Sequence, residues 1–178
     1  MHGERKSTLL LLFLMVGAGV ALAVTFAPRL HAAGPQPDAA IIAEGGGTTI
    51  IQGGTGAPGG FVPVLTKLGF HAERTSTGVT GGFECLALAP EAPTGPHSGQ
   101  FTVNAMYVTG HVSGATVAGD TATLTGTADV TGLGAGSNVS FTFVARRGGP
   151  GATFVLTVSG LTFHEVLLEG ASQVNGKD

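Results

Sequence analysis

The sequence predicts an all-β protein: an antiparallel β-sandwich, or flattened barrel, of about eight or nine strands, preceded by a hydrophobic N-terminal helix. Three observations lead there. Beyond residue 60 the chain is cut into segments of about 8 to 11 residues, each ending in Gly, Asn, Asp or Pro, with apolar and polar positions alternating inside them. Helical spacing of apolar residues is nearly absent after residue 33, and Thr, Val and Gly stand where a helix favours Ala, Leu, Glu and Lys. Composition agrees. Of 178 residues, 31 are glycine, none is tryptophan and only 11% are charged, against about 25% charged in an ordinary globular domain.

The chain opens with residues 1–33, which read as a signal peptide or N-terminal membrane anchor. Arg5 and Lys6 precede an uncharged apolar run from Leu9 to Val24, followed by the small-residue ends Ala21–Ala23 and His31–Ala33. That is the layout of a secretory leader. The run to Ala27 approaches the roughly 20 apolar residues that span a bilayer. Either way, Arg5 and Lys6 hold the N-terminus inside and place the rest beyond the membrane. The expected location is secreted, periplasmic or cell-surface.

Residues 34–60 change texture. Gly and Pro dominate, interrupted by the β-branched pieces around Ile41–Ile42 and Ile50–Ile51. Such composition loses much entropy on ordering. It reads as a linker whose short pieces are able to join a sheet edge.

The expected β domain, 61–178, follows. In 61–73, Val64, Leu68, Phe70 and Ala72 alternate with Lys67, His71 and Glu73. Strands follow at 81–89, 100–110, 111–119, 120–130, 137–147, 151–160 and 161–170, with a Pro/Gly loop at 90–99. Residues 121–127 carry Thr121, Thr123, Thr125 and Thr127 at every second position. Successive strand side chains point to opposite faces, so the threonines stand in water and Ala122, Leu124, Gly126 and Ala128 face the core. The smallness of those inward residues calls for bulky phenylalanines above them, and Phe141, Phe143 and Phe154 are on hand. A flat ice-binding grid of threonines would need the row repeated at a fixed period, and one row is present.

The composition disfavours nucleic acid as a partner. The formal net charge is −3, and phosphate neutralisation needs clustered Lys and Arg. The single cysteine, Cys85, has no internal disulfide partner. It lies in an apolar strand and reads as a small buried hydrophobe. Asp120 and Asp129 read as turn or loop residues. Catalytic motifs are lacking: there is no G-x-S-x-G elbow, no HExxH, no CxxC and no P-loop lysine. The candidate site is a metal set. His71 and Glu73 share one strand face two residues apart, a half-site for a metal ion, to be completed by His111 or His164. The alternative is that His71, Glu73 and His164 are solvated outer-face residues.

Several segments together carry a family resemblance: "KLGFHAE", "TGGFECLAL", "TATLTGTADV", "VSFTFVARRGGPGATFVLTVSG" and "FHEVLLEGASQV". Over about residues 66 to 174 the chain resembles Gly/Thr-rich all-β domains of unknown function in secreted bacterial proteins. The resemblance implies fold and compartment, and transfers no catalytic residue.

The resulting expectation is an exported, non-catalytic β-sandwich with a structural, adhesive or binding role at the cell envelope. No cofactor is expected unless it is a metal ion. Membrane contact is expected only through an uncleaved N-terminal segment, and the partner is an envelope or surface protein. The alternatives are a small metal-binding exported domain using the histidines, and a secreted enzyme with a site that no motif marks.

Overall fold

A computed structural model describes residues 40–54 and 62–175. The expectations for the leader, 1–33, and its helix lie outside these residues. The described residues form eight antiparallel strands: β1 Ala40–Ile51, β2 Leu65–Thr75, β3 Gly78–Ala89, β4 Val103–Ala118, β5 Thr121–Gly132, β6 Gly136–Arg146, β7 Thr153–Val158 and β8 Leu161–Val174. Each pairs with its neighbours in sequence, and β1 pairs with β8, so one continuous sheet closes into a barrel. The all-β antiparallel expectation holds, in its barrel form.

Two boundaries differ from the sequence reading, and glycine explains both. Residues 40–51, expected within a linker, are the strand that closes the barrel. The Gly45–Gly47 run looked like flexible chain, yet it is where the backbone is most crowded. A side chain at Gly45 would meet the Ala171 carbonyl at 2.5 Å and the Phe70 ring at 3.0 Å. Gly47 adopts φ +152° against the Glu169 carbonyl, a conformation that L side chains rarely take. The second difference is β4. Residues 100–110 and 111–119, expected as two strands, form one that runs past Gly110. This glycine makes no turn. It points inward, where a Cβ would sit 2.9 Å from Phe141 and 3.3 Å from Phe83.

The alternation otherwise falls as expected. Thr125 and Thr127 are exposed and Thr121 and Thr123 half-buried, while Ala122, Leu124 and Ala128 are buried. Register shifts at Ile41/Ala43, Thr48/Thr49, Ala87/Leu88, Val112/Gly114 and Ala128/Val130 bend the strands, as β-bulges do where a sheet must curve shut. Asp120 sits in the β4–β5 turn as expected. Its carboxylate accepts from Arg146 Nε at 2.9 Å and from Thr121, and those bonds, Arg146 first, hold it below the ordinary aspartate range. Asp129 lies within β5 rather than in a turn, and accepts from the Asn138 N–H at 3.0 Å.

An eight-stranded barrel has an interior just wide enough to be filled by side chains or to hold one small ligand. Here the middle is filled. Phe143 packs its ring against Phe83, Phe70 and Phe154, with centroids 4.7, 5.0 and 5.6 Å away, and Phe141 stacks on Phe83 at 5.4 Å. Such pairs contribute about 0.5–1.5 kcal/mol each beyond burial. Room for the rings comes from glycine: a Cβ on inward-facing Gly126 would lie 3.0 Å from Phe141.

Candidate ligand-binding site

The phenylalanines do not fill the barrel to both ends. Where β1 and β3 end and β2, β4 and β8 begin, a cavity of about 160 Å³ remains. Its walls are mostly apolar: Ile51, Val64, Ala87, Met106, Leu156 and Phe163. Leu133, 55% exposed, stands at its rim. Three side chains with polar atoms also line it: Thr66, Cys85 and Glu165.

Glu165 is the unusual group. Along β8, Phe163, Glu165 and Leu167 share the inward face, while His164 between them is exposed. Strand alternation thus carries a carboxyl group into the barrel, where it is 1% exposed. Thr49 of β1 and Thr66 of β2, both buried, hold it there. Each hydroxyl donates to Glu165 Oε2, the Thr66 bond being 2.5 Å, and the two hydroxyls touch each other. No Lys, Arg or His is buried among the described residues. A buried carboxyl without a cation favours its neutral form. Burial therefore raises the Glu165 proton affinity above the usual glutamate value, and the two threonine hydrogen bonds oppose this only in part.

Cys85, on β3, is 4% exposed, the buried position expected for it. Burial, reinforced by the nearby Glu165 carboxyl, pushes its thiol well above the ordinary cysteine range, with Thr66 acting the other way. The site thus combines a carboxyl whose proton is held more tightly than usual, an inert thiol and an apolar wall. It can hold a small molecule by shape and by one or two hydrogen bonds.

The expected metal residues lie elsewhere. His71 and Glu73 face outward on β2, and His111 faces outward on β4. Gly82 of β3 pairs with both His71 and His111, so the two imidazoles flank a position without a side chain. The His71 ring leans over it, 3.1 Å from where a Cβ would be. His164 is on β8, paired with Val155 of β7, away from that row. Among the described residues no group of three or more His, Cys, Asp or Glu is placed to hold a metal ion. The sequence reading missed Glu165 as a site residue. The signal was there: an acid with Phe163 and Leu167 two positions either side. No family model matches this chain, and no curated protein or solved structure matches it either.

Proposed function

We propose that this chain is an exported, non-catalytic binding barrel that holds one small, largely apolar molecule at the Glu165 end of its interior. The observation that carries this reading is the apolar cavity of about 160 Å³ with a carboxyl at its wall, in a barrel otherwise packed with phenylalanine. An apolar protein cavity of about 150 Å³ is large enough for benzene, so the ligand is of single-ring size. The non-catalytic character is supported by Cys85, the one nucleophilic thiol at the cavity, being held protonated. Export rests on the apolar run and flanking charges of residues 1–33, and cell fractionation tests it.

The test of the binding role is a nuclear magnetic resonance titration of the full chain with single-ring apolar molecules. Resonances of Met106 and Leu156 are expected to shift and saturate. Ala87→Leu, which puts a larger side chain into the cavity, is expected to keep the fold and abolish the shifts. Binding that survives this substitution, or no binding at all, refutes the reading.

A second reading is metal binding at the outer face. It draws on His71 and His111 flanking Gly82. Elemental analysis of untagged protein tests it: less than about a tenth of an equivalent of metal removes it.

A further inference from the structure

The chemistry of the cavity narrows the ligand further. Both threonine hydroxyls converge on Oε2 of Glu165, and neither bonds to Oε1. In a neutral carboxylic acid one oxygen is purely an acceptor and the other carries the proton. Oε2 is enclosed by the two hydroxyls, so Oε1 is the oxygen left to meet a ligand. The groups that face Glu165 from the strands around it are Thr49 on β1, Thr66 on β2 and Cys85 on β3. Among the described residues none of them is a cation, and His164 on the same strand is exposed. With a proton on Oε1, the cavity offers one strong donor, set in an apolar wall.

That arrangement sorts ligands by their hydrogen-bonding needs. An ammonium brings three N–H donors, and the strand backbones around it are already paired in the closed sheet. It would lose its hydration with too few acceptors to replace it, which is costly. An anion would meet an acid and a thiol with no cation to balance it. A carbonyl or ether oxygen asks for one donor and brings none.

We propose that the cavity receives an uncharged single-ring molecule bearing one oxygen acceptor, a ketone, aldehyde or cyclic ether, and that Glu165 holds this oxygen by donating its own proton. This rests on the binding role above and fails separately from it. The probes are cyclohexanone, methylcyclohexane and cyclohexylammonium, titrated into the full chain at neutral pH. Measured relative to each probe's transfer from water into alkane, cyclohexanone is expected to bind at least about tenfold more tightly than methylcyclohexane, the worth of one well-formed hydrogen bond. Cyclohexylammonium is expected to bind weakest. Raising the pH until Glu165 ionises weakens cyclohexanone and leaves methylcyclohexane unchanged. Glu165→Gln, whose amide still donates, keeps the preference for the ketone, and Glu165→Leu abolishes it. If Glu165→Leu does not fold, the wild-type ratio of dissociation constants decides alone. Equal affinity for cyclohexanone and methylcyclohexane on that transfer-corrected scale overturns the acceptor proposal and leaves the binding role standing. Tightest binding of cyclohexylammonium overturns it too, because Glu165 would then have surrendered its proton. If none of the three binds, the binding role falls and takes this proposal with it.

Discussion

Halfway along the barrel the interior is a wall of phenylalanine; at the end where β1 stops and β2 begins, it is a hollow with a carboxyl group in its side. The same strands build both, with the same alternation. In the middle, small residues such as Gly110 and Gly126 face Phe83 and Phe141, and large meets small until no space is left. At the end, Ala87 and Ala105 are small too, and Phe163 lines the space beside them without filling it. The difference separates the part of the interior that serves stability from the part that the proposed ligand would occupy.

Three substitutions, and then a change of pH, probe that contrast, each set in falling order of effect. Phe143→Ala removes the ring at the centre of the aromatic cluster, which is fully buried. It should cost about 3–5 kcal/mol of stability, read from the urea midpoint. A loss under about 1 kcal/mol would mean the middle is as loosely filled as the end. Gly126→Ala places a Cβ 1.9 Å from the His111 carbonyl oxygen. That atom belongs to the backbone, so the strand must move, at a cost of about 1–3 kcal/mol. By contrast, the Ala87→Leu substitution in the hollow is expected to be neutral or mildly stabilising.

The remaining probe is pH. The folded barrel binds the Glu165 proton more tightly than the unfolded chain does, whose glutamate titrates near 4.5. Glu165 therefore contributes most stability below that value, and its contribution falls as pH rises to the folded-state value, by at most about 1.4 kcal/mol per unit. Beyond that it is flat. Glu165→Gln should remove the slope, as seen in urea midpoints collected across that range. An unchanged slope would show that Glu165 is ionised inside the barrel. Asp120 has the opposite sign: its stabilisation by Arg146 and Thr121 is present above about 3.8 and fades as pH falls. Because it is exposed, the effect is the smallest of all.

Much of the packed middle was legible in the sequence. The outward threonines of β5, the inward Phe141, Phe143 and Phe154, and the burial of Cys85 all follow from a period of two. What was not legible is what glycine does. Gly45–Gly47 and Gly110 look the same on paper whether they loosen a linker, turn a hairpin or let a ring approach, because only the fold says what lies opposite. The expected strand count came close because two misreadings offset each other: β1 was taken for linker and β4 was split. The site was less legible. Alternation already turns Glu165 away from His164, but that it is fully buried beside a cavity depends on Phe163 and Leu167 fixing the register and on the threonines of two other strands. His71, Glu73 and His111 attracted notice as titratable groups, yet chemistry-bearing residues on an outer face are ordinary in a barrel whose inside is apolar.

The pairing of β1 with β8 has a practical consequence. Asn175 donates from its backbone to Ile42 and from its side chain to Ile41, so the chain enters β1 and leaves β8 side by side. That junction lies at the far rim from Ile51, Phe163 and the mouth of the hollow. Among the described residues, the place where the chain enters and leaves the closed sheet and the hollow beside Glu165 therefore sit at opposite rims of the barrel.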